Sequence, residues 1–280
     1  MRLVSDLHID VNRDGNFGFR YINEPLFIAG DIAGSAEREI KFLKGLAKTI
    51  TEPIFVVAGN HLGYDYYQSE YDILFGIKKS NPLQDTKQWS IDFIKKNISE
   101  NVHYLDNEYV EFEDKIVFGG CMYSDYLLYD NVDLSKRSGE HYLNDFRYVH
   151  IYDKEMNVVR PVNTDDYQKF HAIFMEKLKQ CIKETDKDII VLTHFCPSIQ
   201  SISDKYLNQG NTYINASYAS NMEDFIKENP RIKLWFCGHV HNPHDYWIGQ
   251  CHVYQCPYGY KGREQTISAK KWLGKEINIQ

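Results

Sequence analysis

The sequence predicts an α/β fold. Short apolar runs alternate with stretches in which apolar residues recur at helical spacing, and polar side chains follow directly after most of the apolar runs. A strand, a helix and a second strand in this order are typical of a mainly parallel sheet, which binds ligands beyond the carboxyl ends of its strands. The chain of 280 residues shows no repeat and no linker, so we expect a single domain over residues 1–280.

The first three predicted strands all end in side chains that can bind a metal ion. The strands are predicted at residues 1–5, 25–29 and 54–58, and the side chains that follow them are Asp6 and His8, then Asp31, then Asn60 and His61. Asp6 and His8 are two positions apart, so both would face the same way in an extended chain. A helix after Ser35 joins the second strand to the third. We therefore expect these side chains to meet at one edge of a parallel sheet.

The middle of the chain is predicted to be structural and then irregular. Helices are predicted at residues 67–79 and 86–98, and strands at 102–105, 109–112 and 115–120 alternate like those of an antiparallel second sheet. Residues 123–163 form an irregular, tyrosine-rich insertion. A loop-rich segment of this length is usually functional or mobile, so the insertion is predicted to contribute to a site.

Three side chains beyond the strand ends are candidates for contact with a substrate. Arg147 can hold a phosphate through two parallel hydrogen bonds, and Asn144 lies near it in the insertion. Tyr64 follows Asn60 and His61, where it can stack against a base or a sugar. The alternatives are a surface salt bridge for Arg147 and packing in the core for Tyr64.

The C-terminal half repeats the pattern of strand ends that carry donors. A predicted helix at residues 164–184 leads into a strand at 188–192, which ends in Thr193 and His194. A loop at 195–216 should border the site, and a helix at 217–227 leads to the apolar stretch 234–237. That stretch ends at a glycine and is followed by His239 and His241. A single pair of histidines two positions apart can equally be a surface feature.

The number of donors indicates more than one metal ion. The five strand ends supply two carboxylates, one amide and up to five histidines, which exceeds the four ligands of a single tetrahedral site. Two ions that share a bridging carboxylate fit this number better. Mixed oxygen and nitrogen donors accept Mn, Fe, Zn or Ni, so the sequence leaves the identity of two divalent metal ions open.

Five short motifs occur in a fixed order between Asp6 and His241: Asp-x-His, Gly-Asp, Gly-Asn-His, a lone Thr-His and Gly-His-x-His. This series resembles the calcineurin-like metallophosphoesterase superfamily. The resemblance to its small bacterial and phage members rests on Ser5-Asp6-Leu7-His8, the tyrosines after Gly59-Asn60-His61, and Asn144-Asp145-Phe146-Arg147. The resemblance implies two mixed β-sheets packed face to face and flanked by helices. It also implies one ion held by Asp6, His8, Asp31 and His241, and a second held by Asp31, Asn60, His194 and His239.

The activity implied by the resemblance is that of a metal-dependent phosphoesterase. A hydroxide that bridges the two ions would attack the phosphate, Asp31 would bridge the ions, and His61 would protonate the departing oxygen. We expect a phosphodiesterase that acts on a nucleotide or another small phosphate ester. A phosphomonoesterase, a single-strand nuclease and a binding module that has lost catalysis are the alternatives.

The sequence departs from the superfamily pattern at two positions. An acidic residue usually follows Gly-Asn-His and orients the histidine, but this chain has Leu62 there. Asp65 or a main-chain carbonyl would then have to orient His61. Tyr258 stands where an arginine is expected after the last strand.

Composition narrows the choice of partners. The net charge of -7 and the pI near 5.9 give no basic surplus, so we expect no binding to duplex nucleic acid. No apolar run approaches the roughly 20 residues that span a bilayer, so no membrane partner is expected. Six scattered cysteines without a Cys-x-x-Cys pair favour a cytoplasmic, reduced location. The oligomeric state is not predicted.

Overall fold

The computed structural model describes residues 1–64, 86–208, 210, 212–264 and 267–278. The strands are β1 (Arg2–Val4), β2 (Leu26–Ile28), β3 (Ile54–Val57), β4 (Val102–Leu105), β5 (Glu108–Phe112), β6 (Lys115–Gly120), β7 (His150–Asp153), β8 (Val158–Pro161), β9 (Asp188–Thr193), β10 (Ile232–Cys237), β11 (His244–Ile248), β12 (Cys251–Gln255) and β13 (Lys275–Glu276). The helices are α1 (Ile9–Asn12), α2 (Ala36–Leu46), α3 (Lys87–Asn97), α4 (Val132–Tyr142), α5 (Asp145–Tyr148), α6 (Thr164–Glu184), α7 (Asp204–Leu207) and α8 (Glu223–Glu228). The predicted helix at 67–79 lies outside the described residues.

Two mixed sheets form the fold, as the family resemblance implies. The first has the order β13-β1-β2-β3-β4, in which β1 to β4 are parallel and β13 is antiparallel to β1. The second has the order β11-β12-β10-β9-β6-β5, in which the four central strands are parallel and the two edge strands are antiparallel. Because the donor-bearing strands are parallel within each sheet, their carboxyl ends lie at a common edge.

The two sheets pack face to face through an aromatic and aliphatic core. Phe27 of the first sheet contacts Phe55 of its neighbour at a ring distance of 4.8 Å and Phe236 of the second sheet at 5.0 Å. The helices α2 and α3 cover the outer face of the first sheet, and α6 covers the outer face of the second. Burial on both faces explains why β2, β3 and residues 234–237 of β10 are continuous apolar runs rather than alternating strands.

The prediction of a separate antiparallel sheet at 102–120 is wrong. β4 joins the first sheet parallel to β3, and β6 pairs parallel with β9 in the second sheet, so among these three strands only β5 and β6 form an antiparallel pair. Alternating burial indicates which face of a strand is covered, but it does not indicate the neighbouring strand. The helix predicted at 86–98 is confirmed as α3, and the hydroxyl of Thr86 accepts a hydrogen bond from the amide of Trp89 at 3.3 Å.

The segment 123–163 is more regular than predicted. It contains α4, α5 and the antiparallel pair of β7 and β8. The side chain of Asn131 caps α4 by accepting a hydrogen bond from the amide of Leu134 at 3.0 Å. The helix predicted at 217–227 is shorter, because residues Thr212–Ser217 form a 3₁₀ helix and α8 begins at Glu223. Among the described residues, no helix has both the length and the apolar character needed to cross a bilayer.

Candidate metal centre

The structure brings together the donors that follow β1, β2, β3, β9 and β10. Their ligand atoms form three overlapping groups, and within each group all atoms lie within 4.8 Å of one another. The groups are Asp6, His8 and His241; His8, Asp31 and His61; and Asp6, Asp31 and His194. Asp6, His8 and Asp31 each belong to two groups, so the donors form one continuous cluster at the common edge of the two sheets.

The backbone of this cluster is not extended, contrary to the sequence prediction. Asp6, His8, Asp31 and His239 have φ angles of 54°, 42°, 53° and 68°, which lie in the left-handed region. Each such conformation costs of order 1–3 kcal/mol in a residue other than glycine and is concentrated at functional sites. Asp6 and His8 therefore reach the cluster through turns that follow β1, and the alternation of an extended strand does not apply to them.

Glycines allow the turns to approach each other closely. A Cβ atom on Gly59 would lie 1.8 Å from Oδ1 of Asp31, and a Cβ on Gly238 would lie 2.8 Å from Oδ2 of Asp6. Behind the first of these turns, the buried side chain of Lys87 donates its Nζ to the carbonyl of Gly59 at 2.6 Å. The glycines of the Gly-Asn-His and Gly-His-x-His motifs thus leave space for the carboxylates.

One half of the cluster is formed by Asp6, His8 and His241. Nε2 of His8 lies 3.1 Å from Nε2 of His241, which in turn lies 3.5 Å from Oδ1 of Asp6. Nδ1 of His241 lies 3.3 Å from a carboxylate oxygen of Glu264, so an Nδ1–H donated there leaves Nε2 with its lone pair directed inward. Two imidazole lone pairs at this distance repel each other unless a proton or a cation lies between them. This donor set therefore fits a metal ion.

The other half is formed by Asn60 and His194. Nδ1 of His194 lies 2.8 Å from the carbonyl of Ala29, to which it donates, so in the neutral ring Nε2 would carry the lone pair. Nε2 lies 2.8 Å from Oδ1 of Asn60 and 3.4 Å from Oδ2 of Asp31. Burial disfavours the imidazolium, but the charge and hydrogen bond of Asp31, the charge of Asp6 and the carbonyl of Ala29 together outweigh burial and raise the pKa of His194 to about 9. A cation in place of that proton would satisfy all three facing groups.

His239 is the predicted ligand that the structure places least directly. It belongs to none of the three groups of ligand atoms among the described residues. Its amide donates to Oδ1 of Asp6 at 3.0 Å, and its Nε2 lies 3.3 Å from the carbonyl of Ser217. Burial lowers the pKa of His239 to about 4, so the ring is neutral and, with Nε2 donating, Nδ1 keeps the lone pair. Its ring centroid lies 5.0 Å from that of His194.

His61 lies at the open side of the cluster. Its amide donates to Oδ1 of Asp31 at 2.9 Å, and its Nε2 lies 3.9 Å from Oδ2 of the same residue. Its ring stacks on Tyr64 with centroids 4.1 Å apart, and the hydroxyl of Tyr260 lies 3.5 Å from Nε2. Leu62 is fully buried, so its side chain packs in the core instead of orienting the ring. Asp65, the predicted substitute, lies outside the described residues.

The structure places the two residues predicted in the insertion to contact a substrate at different positions. Asn144 lines the cavity described below, but Arg147 is exposed, and its Nη2 lies 3.5 Å from the carbonyl of His141. The short helix α5 turns Arg147 outward and Asp145 inward. Asp145 is almost completely buried and accepts hydrogen bonds from Asn60 and Tyr167, both at 2.8 Å. Asn144 and Arg147 were predicted from the sequence to contact a substrate, whereas Asp145 was not predicted to have a role.

Two further groups were missed near the C-terminus. The ring of Tyr260 stacks on His8 at 4.7 Å and meets His241 edge-on at 4.8 Å. Glu264 contacts His241 as described and also accepts a hydrogen bond from the amide of Tyr260 at 2.7 Å. Tyr258, where an arginine is expected, is buried and donates its hydroxyl to the carbonyl of Ile267 at 3.1 Å. Its position is structural, whereas the next tyrosine reaches the site.

A cavity of about 360 Å³ opens from the donor cluster. Its aromatic lining consists of Tyr64, Tyr142, Tyr206, Tyr218 and Tyr260. The loop predicted to border the site contributes Tyr206, Ile214 and Asn215. Among the described residues, the lining contains no lysine or arginine. The cavity is thus a tyrosine-rich chamber with the metal-binding side chains on one wall.

Comparisons with known proteins agree with the fold and the motif series. The chain is 25% identical over 263 residues to an uncharacterized protein of Acanthamoeba polyphaga mimivirus. The match spans 86% of this chain and 84% of the viral protein. The crystal structure of phosphopantetheinyl hydrolase (PptH) from Mycobacterium tuberculosis is similar, with a TM-score of 0.61 and 14% identity over 94% of this chain and 90% of that one. TT1561 of Thermus thermophilus is similar with a TM-score of 0.50 and 11% identity, over 92% and 88% of the two chains.

The family assignment rests on the sequence profile. The profile of the calcineurin-like phosphoesterase family matches residues 3–243, which include every donor from Asp6 to His241. The two solved structures show the fold alone at these levels of identity. This chain therefore belongs to the calcineurin-like phosphoesterase family.

Proposed function

We propose that this protein is a two-metal phosphodiesterase that hydrolyses a nucleotide or another small phosphate ester. The observation that carries the proposal is the cavity, which joins a cluster of metal-binding side chains to a tyrosine-rich chamber without lysine or arginine among its described lining residues. The family supplies the reaction class, metal-dependent hydrolysis of phosphate esters. The choice of a diester follows from the charge of the chamber.

The chamber favours a substrate with a single negative charge. A phosphomonoester carries about −1.5 to −2 charges at neutral pH, whereas a diester carries one. Asp31, Asp145 and Glu264 line the cavity, and the described lining offers only histidines as cationic partners besides the metal ions. A second phosphate charge would therefore lie close to carboxylates without a compensating side chain. The tyrosine rings offer stacking surfaces for a base or a comparable planar group.

The donor cluster would hold two divalent ions. Asp6, His8 and His241 would bind one, Asn60, His194 and His239 would bind the other, and Asp31 would lie between them. When bound, the ions supply the positive charge that draws in the phosphate and acidifies the attacking water. The buried carboxylates match this role, since an ionised carboxylate inside a protein is costly without a cation.

His61 and Tyr260 would act at the leaving oxygen. His61 lies at the boundary between the cluster and the chamber, with its side chain 17% exposed, so its Nε2 can reach a departing alkoxide. The hydroxyl of Tyr260 lies 3.5 Å from that nitrogen and can share the proton or position the ring. A well-placed acid of this kind contributes about 10²- to 10⁴-fold to the rate.

The test compares two chromogenic esters in Mn²⁺. We expect a higher kcat/KM for bis(p-nitrophenyl) phosphate than for p-nitrophenyl phosphate, and no turnover in excess chelator. A preference for the monoester would replace the proposed activity with that of a phosphomonoesterase. Failure of both esters at every metal tested would contradict the proposed hydrolysis itself. The control variant is Asp166→Asn, which removes a buried carboxylate outside the cavity that binds Arg160.

A further inference from the structure

The Gly-Asn-His turn lacks the acidic neighbour that would normally fix its histidine. Leu62 occupies that position and packs in the core. The turn nevertheless has to present Asn60 through its oxygen and hold the ring of His61 at the mouth of the site. Another group must therefore fix these two side chains.

Asp145 reaches the turn from the opposite side. It lies at the start of α5 in the segment 123–163 and is 1% exposed. Its Oδ1 accepts a hydrogen bond from Nδ2 of Asn60 at 2.8 Å and another from the hydroxyl of Tyr64, while its Oδ2 accepts from the hydroxyl of Tyr167 at 2.8 Å. No lysine or arginine of the described residues forms an ion pair with it. A buried carboxylate is thus held by neutral donors alone.

Both oxygens of Asp145 act as hydrogen-bond acceptors, which decides how Asn60 is oriented. The amide nitrogen of Asn60 must face Asp145, so its Oδ1 must face the other way, where it lies 2.8 Å from Nε2 of His194. Oxygen is the atom of an amide that binds a metal ion. A neutral amide or hydroxyl in place of Asp145 would accept or donate, and the orientation of Asn60 would no longer be fixed.

The same carboxylate also reaches His61 through Tyr64. The hydroxyl of Tyr64 donates to Oδ1 of Asp145, and its ring stacks on the imidazole of His61 with an interplanar angle of 21°. Nδ2 of Asn60 lies 3.3 Å from the same hydroxyl, which joins the three side chains into one network. Asp145 therefore holds both functional side chains of the turn.

We propose that Asp145 is the positioning residue of the Gly-Asn-His turn, which directs the oxygen of Asn60 to the second ion and holds Tyr64 against His61. This inference rests on the proposed two-metal function. Asp145 takes over the place of the acidic residue that is absent at Leu62, but it comes from a distant segment and acts mainly on the asparagine. Its role is to select one orientation of a metal ligand.

The test measures Mn²⁺ binding by equilibrium dialysis and hydrolysis in parallel. Asp145→Asn should weaken one of the two ions by roughly 10- to 100-fold, the usual effect of losing a group that orients a ligand. The exchange of the two side chains, Asn60→Asp with Asp145→Asn, should restore binding to within a few-fold. In the exchanged pair the carboxylate at position 60 faces the ion, and the amide nitrogen at position 145 donates a hydrogen bond to that carboxylate. Asn60→Asp alone should bind poorly, because two carboxylates would face each other.

The control separates positioning from folding. Asp166→Asn removes a buried carboxylate that accepts hydrogen bonds from Arg160 at 2.6 Å and from the amide of Asn163 at 2.9 Å, away from the site. It should lower the melting temperature in excess chelator while both Mn²⁺ affinities stay unchanged. Should Asp145→Asn fail to fold, the exchanged pair still tests the proposal, since it keeps the hydrogen bond with its direction reversed.

The possible failures are distinguishable. Unchanged affinity for both ions in Asp145→Asn would overturn the positioning role, even if the wild-type protein hydrolyses the diester as proposed. Failure of the exchanged pair to recover binding, when it folds, would also overturn the role. Two bound Mn²⁺ ions without hydrolysis of any ester in the wild type would contradict the proposed function and leave the role of Asp145 to be decided by the binding data.

Discussion

The two halves of the candidate metal site both contain fully buried ligands, but they differ in the exposure of the group that supports one ligand in each half. His241, in the half with Asp6 and His8, is 16% exposed and contacts Glu264, which is 33% exposed. His194, in the half with Asn60, is fully buried, and the carboxylate that holds Asn60 is 1% exposed. The same kinds of ligand are therefore supported once by a solvated group and once by a group in the interior.

The exposure of a supporting group affects how much free energy its contact contributes. An exposed ion pair or hydrogen bond is screened by water and contributes about 0–1 kcal/mol. Removing one partner of a buried charged network leaves a polar group without a partner, which costs several times more. We call the half with Asn60 and His194 the buried half, and the half with Asp6, His8 and His241 the open half. We therefore expect metal binding in the buried half to depend strongly on Asp145, and metal binding in the open half to depend only weakly on Glu264.

The largest expected effect comes from the residue that the two halves share. Asp31→Asn removes the carboxylate placed between them and should lower kcat at least about 10³-fold, since bound ions supply several kcal/mol of transition-state stabilisation. Both Mn²⁺ ions should bind more weakly in dialysis. A variant that keeps its rate, or that loses a single ion, would show that the halves do not share Asp31.

Separate loss of the two histidines tests the division itself. His241→Ala should weaken the ion of the open half, and His239→Ala should weaken the ion of the buried half, so each variant should retain about one Mn²⁺ per chain. The metal content of the dialysed variants measures this directly. Loss of both ions in either variant would contradict the division, and full occupancy in His239→Ala would remove that residue from the ligands.

The pH dependence of metal binding probes the buried half. Burial disfavours the charge on His194, but Asp31, Asp6 and the carbonyl of Ala29 together outweigh burial and raise the pKa of His194 from 6.5 to about 9. This proton therefore stabilises the metal-free fold fully below pH 6.5 and progressively less up to about pH 9. A metal ion needs the unprotonated nitrogen. Affinity for Mn²⁺ should therefore rise with pH across this range, by roughly tenfold per unit for each proton displaced. Calorimetry in buffers of different ionisation enthalpy counts those protons, and a flat profile would contradict the prediction.

The smallest expected effect concerns the support of the open half. Glu264→Gln keeps an acceptor near Nδ1 of His241 and removes only a partly exposed charge, so we expect a change in Mn²⁺ affinity of no more than about fivefold. The matched comparison is Asp145→Asn in the same assay. If Glu264→Gln weakened binding as much as Asp145→Asn, exposure would not explain the difference between the halves.

The sequence was sufficient to predict the donors but not the groups that hold them. Asp31, Asn60 and His194 each follow directly after an apolar strand, and parallel strands must end at a common edge, so their proximity could be inferred. Asp145 begins the short helix α5 and Glu264 lies in an irregular segment, and their place beside Asn60 and His241 depends on how distant parts of the chain pack. No local pattern carries that information.

Where the structure differs from the sequence predictions, the cause is again the packing of distant parts of the chain. Arg147 has the right chemistry for a phosphate, but the short helix α5 points it to solvent and its neighbour Asp145 to the interior. The alternation of β4 predicted a strand correctly but not its partner, since pairing is decided by tertiary contacts. Leu62 gave a useful signal, because a missing acidic residue indicated that another support had to exist.

We propose that these donors hold two ions, one in each half, with Asp31 between them. Anomalous diffraction at the manganese edge from crystals grown with Mn²⁺ tests it most directly. We predict two peaks roughly 3.5–4 Å apart, one beside His8 and His241 and the other beside Asn60 and His194, with a carboxylate oxygen of Asp31 close to both. A single peak at full metal saturation, or two peaks that do not share Asp31, would contradict the claim.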